Sequence, residues 1–265
     1  MSTQTILIAF GLTLIAGLST GIGSMLAFFT KRTNTKFLAT SLGFSAGVMI
    51  YVSFMEMMPQ AKLNLIESFG DRIGTFYLLL AFFGGMGMIT LIDFLIPEDK
   101  NPHEMHNVEE LSKKQTGLKK TGMLVALSIG IHNFPEGIAT FTSALNSMEI
   151  ALPITPAIAI HNIPEGIAVS VPIYQATGNK KKAFWLSFLS GMAEPVGALF
   201  GFLILLPFWT PAINGFILAA VSGIMVFISI DELLPSAQKY GEHHLSISGL
   251  VGGMVIMALS LFLFI

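Results

Sequence analysis

Eight long apolar stretches constrain this chain more than any other feature of its sequence. They cover residues 5–29, 37–58, 73–96, 121–145, 152–174, 183–208, 212–234 and 245–265. A helix needs about 20 mostly apolar residues to cross the hydrocarbon core of a bilayer, and backbone in lipid must pair its own polar groups. The sequence therefore predicts an all-α polytopic membrane protein with eight transmembrane helices, called spans one to eight below.

The composition agrees with a chain that lies in a lipid bilayer. Charged residues make up 11% of the 265 residues, and hydrophobic residues make up 53%. A soluble domain carries about 25% charged residues, so an ordinary cytosolic enzyme is excluded. A net charge of −2 excludes a nucleic-acid partner. With no cysteine, the chain has no disulfides, iron–sulfur clusters or thiolate zinc sites. We interpret residues 1–265 as a single transmembrane domain.

The basic residues predict which way the spans run. If the N-terminus lies outside, the inner loops hold 12 of the 14 lysines and arginines, and the outer loops hold only Lys62 and Arg72. That bias obeys the positive-inside rule and places both termini outside. The largest loop, 97–120 between spans three and four, is then cytoplasmic. We interpret it as a solvated linker, with metal capture by His103 and His106 as the alternative.

Two internal similarities predict an inverted repeat. The segment His-Asn-Phe-Pro-Glu-Gly-Ile-Ala at 132–139 in span four recurs as His-Asn-Ile-Pro-Glu-Gly-Ile-Ala at 161–168 in span five. Residues 47–61 of span two resemble residues 223–237 of span seven. The members of each pair run in opposite directions, as in inverted-repeat transporters. The prediction is a 3+2+3 arrangement, with spans one to three and six to eight around spans four and five. The remaining spans show little similarity, so the repeat rests on short matches.

Spans four and five each carry an acid near the bilayer centre. His132 and His161 lie roughly ten residues into their spans, which is about 15 Å deep. Glu136 and Glu165 follow them by four residues. An ionised carboxylate at this depth costs about 3 kcal/mol. No lysine or arginine lies within any span, so a bound metal cation or a proton is the remaining compensation.

Helix geometry favours a metal. At about 100° per residue, Glu136 lies between His132 and Asn133 in azimuth. One carboxylate can therefore share one cation with the histidine and another with the amide. Asn162 and Glu165 have the same relation, so two facing helices could frame two adjacent cation sites. The alternative is a hydrogen-bonded polar core with protonated glutamates.

The prolines and glycines of the doubled motif favour a polar cavity between closely packed helices. Pro135 and Pro164 leave carbonyls of the preceding turn without helical donors, which is tolerated where a helix lines a polar cavity. Gly137 and Gly166 allow neighbouring helices to approach closely.

Other polar residues extend the predicted site. Glu194, about eleven residues into span six, is the best additional ligand. We predict pathway residues at the two mouths of the site: Glu56 near the outer end of span two, and Asp231 and Glu232 near the inner end of span seven. The alternative is that these carboxylates lie at the membrane interface, at the ends of their helices. Met49 is either a soft ligand facing the cavity or a core filler.

The donor set consists of imidazole, carboxylate and amide groups without thiolate. Such a set suits zinc, ferrous iron, manganese or cobalt better than copper(I), and it disfavours a pure calcium site. Affinity order alone does not choose among these metals.

The doubled His-Asn-x-Pro-Glu-Gly motif is highly specific, and the segments Ala-Glu-Pro-Val-Gly at 193–197 and Asp-Glu-Leu-Leu-Pro at 231–235 accompany it. With these motifs the chain resembles the ZIP family of zinc and iron permeases (Zrt/Irt-like proteins), in its bacterial ZupT-like branch. The resemblance implies a two-metal centre. One site would use His132, Glu136, His161 and Glu165, and the other would use Asn133, Glu136, Asn162, Glu165 and Glu194.

The resemblance also implies a function. It implies import of divalent cations across the bacterial inner membrane, with zinc and iron foremost and manganese, cobalt and cadmium as further substrates. It implies no cofactor. Spans one, four, five and six would move against spans two, three, seven and eight, often in a homodimer.

Two other functions use the same residues. An intramembrane metalloenzyme is one, but the zinc-protease motif His-Glu-x-x-His is absent, and histidine precedes glutamate where di-iron sites have Glu-x-x-His. A metal sensor that binds without flux is the other. The chain contains no G-x-x-x-x-G-K motif, so we predict alternating access without ATP hydrolysis by this chain.

Overall fold

The computed structural model describes residues 2–29, 35–95, 130–131, 133–145, 148–239 and 243–263. All regular secondary structure within these ranges is helical. The predicted cytoplasmic loop 97–120 and His132 lie outside them. The helices are α1 Thr3–Phe29, α2 Thr35–Val52, α3 Met58–Phe69, α4 Asp71–Leu95, α5 133–145, α6 Met148–Thr177, α7 Lys180–Gly191, α8 Ala193–Phe200, α9 Pro211–Ile228, α10 Leu234–Lys239 and α11 His243–Leu263.

Six helical stretches of the described residues are long and apolar enough to cross a membrane. They are Thr3–Met25, Ala39–Phe69, Asp71–Ile92, Lys180–Ile204, Pro211–Leu233 and His243–Leu263. They correspond to predicted spans one, two, three, six, seven and eight. The all-helical membrane architecture is therefore confirmed, whereas the full count of eight stays a prediction.

Span two is longer than predicted. It does not end at residue 58, because α2 passes through a π-helical turn, Ser53–Met57, and continues as α3 to Phe69. The π turn ends with the backbone N–H of Met58 bonded to the carbonyl of Ser53. Pro59 then occupies the first turn of α3, where no N–H donor is needed. Glu56 consequently lies about 20 Å from the end of the helix, which corrects its predicted place near the outer end of span two.

Span seven has the same local structure. α9 passes through a π-helical turn, Ser229–Leu233, into α10, which ends at Lys239. The N–H of Leu234 bonds to the carbonyl of Ser229, directly before Pro235. Two segments that the sequence paired therefore share an uncommon backbone feature at matching positions.

Span six is broken rather than continuous, contrary to the prediction of one helix over 183–208. Pro195 has no N–H to offer the carbonyl of Gly191. α7 accordingly ends at Gly191, Met192 forms a turn with ψ −8°, and α8 begins at Ala193. After α8 the chain forms a π turn, Gly201–Leu205, and a short 3-10 turn. The break lies directly before Glu194.

The helices form two groups, and α6 of one group contacts α2 and α11 of the other. The scaffold bundle comprises α2–α4 and α9–α11, in which α2 packs on α11 and α4 packs on α9. The site bundle comprises α1 and α5–α8, in which α1 packs on α6, α7 and α8. Pro211–Leu233 is the most enclosed stretch, at 67% buried, whereas Asp71–Ile92 and His243–Leu263 are 22% buried. Large apolar side chains such as Phe83, Phe94 and Phe262 are exposed on these outer helices.

Two tight turns depend on glycine. Gly70, between α3 and α4, has φ +78°, and Gly178, between α6 and α7, has φ +62°. Glycine adopts this left-handed conformation without steric cost. The side chain of Asn179 then caps α7 by accepting from the N–H of Lys182 at 3.0 Å.

Candidate metal centre

Three helices of the site bundle carry the described members of the predicted ligand set. The side chains with described positions are almost fully buried, and they are Asn133, Glu136, Asn162, Glu165 and Glu194. The first two lie on α5, the next two on α6 and the last on α8. His161 lies in α6, but its side chain is outside the described part of the structure, as is all of His132.

Glycines bring these helices into backbone contact. A Cβ at Gly137 would lie 2.0 Å from the carbonyl oxygen of Glu194, and a Cβ at Gly197 would lie 2.1 Å from that of Phe134. Neither position tolerates a side chain, so α5 and α8 touch beside Glu136 and Glu194. Gly166 plays the same part for α6, since its Cβ would lie 2.0 Å from the carbonyl oxygen of Thr20 in α1. The predicted packing role of Gly137 and Gly166 is therefore confirmed.

Glu194 lies within electrostatic range of the other two buried glutamates, Glu136 and Glu165. The amide of Asn162 donates a short hydrogen bond to Oε1 of Glu194. It also donates to the carbonyl of Ala16 at 3.0 Å. Three acids in one apolar interior favour occupancy by cations or protons.

The two asparagines use their amide nitrogens in hydrogen bonds, and their oxygen atoms are buried. The amide nitrogen of Asn133 donates to the carbonyl of Ser190 at 3.4 Å. The amide nitrogen of Asn162 donates to Ala16 and Glu194. Among the described residues, Oδ1 of each asparagine and Oε2 of Glu194 have no hydrogen-bond partner. Buried oxygens of this kind are suited to a cation or an ordered water.

The carboxylates alone do not form a complete site. Among the described side chains, no three histidine, aspartate or glutamate groups are spaced to hold one ion. The predicted ligand sets also include amide oxygens and two histidines. The side chains of these histidines lie outside the described part of the structure. Any shared ion therefore depends on these additional donors.

A small cavity adjoins Glu136, with room for about one water molecule. It lies between α5, α6, the first π turn and α9, and its lining residues are Met57, Glu136, Ala139, Thr140, Ser143, Ile158 and Met225. Of these seven residues, sequence reasoning predicted only Glu136 and missed the other six. A signal existed for Thr140 and Ser143, because they follow Glu136 by four and seven residues and therefore share its helix face. Met225 could have been found as the repeat counterpart of Met49.

Thr140 differs from most buried hydroxyl residues in these helices. The hydroxyls of Thr13 and Ser222 donate to carbonyls four residues earlier, at 3.0 and 2.7 Å. That pattern is the usual fate of a helical hydroxyl in an apolar interior. Oγ1 of Thr140 has no partner among the described residues, although the side chain is only 1% exposed. Its hydroxyl is available to a water molecule or cation in the cavity.

The predicted pathway residues occupy less central positions. Glu56 is half-buried, and its neighbour Met57 rather than Glu56 lines the described cavity. Asp231 is exposed and Glu232 is half-buried in the second π turn. Met49 is fully buried in the main apolar cluster. Their roles in a pathway stay predictions.

Comparison with known proteins identifies close relatives over the whole chain. A family described as ZIP Zinc transporter matches residues 96–261. A zinc transporter ZupT from Streptococcus mutans is 59% identical over 263 residues, covering 99% of this chain and 100% of the relative. The zinc transporter ZupT from Lysinibacillus sphaericus is 60% identical and covers 98% of both chains. That from Clostridium perfringens is 56% identical and covers 99% of this chain and 98% of its own.

Proposed function

Since the chain belongs to the ZIP family, we propose that it transports divalent metal ions, zinc above all, across the cell membrane into the cytoplasm. Its relatives are named as zinc transporters and not as enzymes. The membrane-length helices supply the setting that such a function requires.

One observation supports the proposed site most strongly. Glu136, Glu165 and Glu194 are buried, and Glu194 lies within electrostatic range of the other two. No lysine or arginine lies in the predicted spans. A divalent cation would offset most of the negative charge of the glutamates, and the unpartnered amide oxygens of Asn133 and Asn162 would complete its shell. Amide ligands and protonatable carboxylates bind a cation and also release it, as permeation requires.

The proposed mechanism is alternating access around this centre. A cation reaches Glu136 from outside along the cavity face of Thr140 and Ser143, binds between α5, α6 and α8, and leaves on the inner side past Glu232. The cavity beside Glu136 supports the outer half of this route. The 12-to-2 distribution of basic residues supports the orientation.

The proposed architecture has eight spans in a 3+2+3 inverted repeat, with both termini outside. The matching π turns of spans two and seven support it. So do equivalent close helix contacts in the scaffold bundle, where a Cβ at Gly47 would lie 2.0 Å from the carbonyl oxygen of Leu250 and a Cβ at Gly223 would lie 2.0 Å from that of Phe82. α6 supports span five, because 30 helical residues extend about 45 Å.

The proposed substrates extend beyond zinc to iron, manganese, cobalt and cadmium. Nitrogen and oxygen donors accept all of these ions. A homodimer in the bacterial inner membrane remains a prediction from the family resemblance.

The test is radiometal uptake by the purified full-length protein in sealed proteoliposomes. We expect time-dependent zinc accumulation that an ionophore releases, with little uptake by protein-free vesicles. Permeabilised proteoliposomes provide the binding-only control. Zinc retained equally by sealed and permeabilised vesicles would indicate a sensor, and turnover of a peptide or lipid without zinc flux would indicate a metalloenzyme.

A further inference from the structure

Contacts made by α1 reappear, residue by residue, in α7 and α8. A Cβ at Gly23 would lie 1.9 Å from the carbonyl oxygen of Ile163, and a Cβ at Gly197 would lie 2.1 Å from that of Phe134. Phe134 and Ile163 are equivalent positions of the doubled motif. The two contacts thus pair Gly23 with Gly197, 174 positions further along the chain.

Two more kinds of contact keep the same offset. A Cβ on the glycine of each motif would lie 2.0 Å from a carbonyl oxygen, that of Thr20 for Gly166 and that of Glu194 for Gly137. The asparagine amides of the two motifs donate to Ala16 and Ser190, which also differ by 174.

The contact between α1 and α7 is itself reciprocal. A Cβ at Gly17 would lie 2.6 Å from the carbonyl oxygen of Gly191, and a Cβ at Gly191 would lie 2.6 Å from that of Gly17. These two glycines again differ by 174 positions. The constant offset of 174 positions therefore describes an approximate two-fold symmetry that relates α1 to α7 and α8. The candidate metal centre lies between the helices that this symmetry relates.

The sequences agree once this register is known. Residues 12–25 read Leu-Thr-Leu-Ile-Ala-Gly-Leu-Ser-Thr-Gly-Ile-Gly-Ser-Met, and residues 186–199 read Leu-Ser-Phe-Leu-Ser-Gly-Met-Ala-Glu-Pro-Val-Gly-Ala-Leu. Most positions hold the same residue or a similar one. The pair that changes from neutral to charged is Thr20 and Glu194.

We infer that Thr20 is the counterpart of Glu194 in the centre, and that its hydroxyl and Oδ1 of Asn133 form a neutral oxygen subsite for a divalent cation. This subsite mirrors the pair Asn162 and Glu194. The inference deepens the proposed function and rests on it.

The surroundings of Thr20 carry this inference. Its side chain is 0% exposed, and among the described residues its Oγ1 has no hydrogen-bond partner. The hydroxyl lies 2.7 Å from where a Cβ of Gly191 would be. Asn133 donates to the neighbouring carbonyl of Ser190. The hydroxyl and the amide therefore adjoin consecutive residues of α7, Gly191 and Ser190. Each group has an oxygen that lacks a described partner.

The difference between the two subsites has a chemical consequence. A carboxylate holds a divalent cation more strongly than a hydroxyl, because it contributes a full negative charge. The Glu194 subsite therefore retains the ion, and the Thr20 subsite holds it weakly enough to pass it on.

The first test compares Thr20→Val with Thr13→Val in zinc uptake by the full-length protein in proteoliposomes. Both threonines are buried in α1, but the Thr13 hydroxyl is used by the carbonyl of Ala9. We expect Thr20→Val to raise the KM for zinc roughly tenfold, which is the lower end of the range for loss of a group that supports a metal site. We expect the KM of Thr13→Val to stay within about twofold of the wild-type value. Equal KM values for both variants would overturn the inference.

The second test exchanges the two residues. Glu194→Thr should lose zinc uptake. The double variant Thr20→Glu/Glu194→Thr should show at least about tenfold more uptake than Glu194→Thr alone, because it places the acid at the symmetry-related position in α1. No regain in a monodisperse double variant would overturn the inference. If the double variant does not fold, the Thr20→Val comparison decides.

These outcomes are separate from a failure of the proposed function. If the wild-type protein accumulates no zinc, transport itself is refuted. If it transports normally while Thr20→Val behaves as Thr13→Val does, only the subsite is refuted.

Discussion

The site bundle and the scaffold bundle solve the same packing problem with different chemistry. In the scaffold, α2–α4, α9 and α11 contribute most of a continuous apolar cluster that contains Met49, Leu65, Ile224 and Met257. In the site bundle, α1 and α5–α8 bury Asn133, Asn162 and three glutamates, together with serines and threonines. Both bundles use glycine at close helix contacts.

This difference shows where function resides. The scaffold also buries Asn64, Asn214 and several serines, so the two bundles differ in their acids. Ionisable groups in a membrane interior are costly and therefore indicate a site. Every glutamate that is fully buried in the described residues lies in the site bundle. The scaffold contributes only Met57 and Met225 to the cavity beside Glu136. Substitutions in the two bundles should accordingly have separable effects on transport and on stability.

The largest expected effect comes from removing a central acid. Glu136→Ala or Glu165→Ala should reduce zinc uptake by at least about 100-fold, since each carboxylate is a proposed ligand shared by two cations. Glu67→Ala is the matched control, because Glu67 is exposed in α3. Uptake in proteoliposomes provides the measurement. Normal uptake by both site variants, with monodisperse protein, would reject the site assignment.

The next largest effect separates the bundles through their glycines. A Cβ at Gly137 would meet the carbonyl of Glu194, and one at Gly47 would meet that of Leu250, both at 2.0 Å. Gly137→Ala should weaken zinc binding roughly tenfold, because it displaces α8 and Glu194 from α5. Gly47→Ala should lower the free energy of unfolding by about 1–3 kcal/mol without changing the Kd for zinc.

Zinc titration and thermal unfolding of the purified variants measure these two effects. Gly84→Ala is the control, because no atom lies within 4 Å of a Cβ there. An equal loss of zinc affinity in Gly47→Ala and Gly137→Ala would show that the bundles are not functionally distinct.

A smaller effect concerns the methionine that the scaffold presents to the cavity. Met225→Leu should lower the preference for cadmium over manganese by about threefold, because a thioether favours the softer ion. Met257→Leu controls for loss of a buried methionine, since Met257 is 1% exposed in the apolar cluster. Competition of each metal with zinc uptake measures the preference. An unchanged ratio of cadmium to manganese preference in Met225→Leu would show that Met225 of the scaffold does not contact the ion.

The smallest effect is expected for the hydroxyl that faces the cavity. Thr140→Val should slow zinc uptake about twofold, because a passing cation loses one oxygen contact. Thr142→Val is the control, since the Thr142 hydroxyl already donates to the carbonyl of Ala139 at 3.2 Å. Initial uptake rates compare the two. A slower rate in Thr142→Val than in Thr140→Val would contradict this view of the cavity.

The sequence predicted the helical class, the family and a set of buried acids, because each depends on local composition or on short motifs. Glu194 could be found since an acid deep in an apolar stretch is conspicuous by itself. The motif repeat at 132–139 and 161–168 was visible because nearly all of its residues are identical.

Other features required three-dimensional contacts. The continuation of span two past Pro59 depends on a π turn, which shifts the proline into a tolerated position. The similarity between α1 and span six was missed because its register emerges only from reciprocal contacts such as those of Gly17 and Gly191. Thr20 gave no signal in the sequence, since a threonine in an apolar helix usually bonds to its own backbone.

The central claim is that the buried acids and amides of α5, α6 and α8 hold the transported ion. Anomalous diffraction at the zinc edge from zinc-saturated protein tests it most directly. We predict a zinc peak between these helices, about 2.0–2.2 Å from carboxylate oxygens of Glu136 and Glu165. Saturated crystals with no zinc peak between α5, α6 and α8 would contradict the claim.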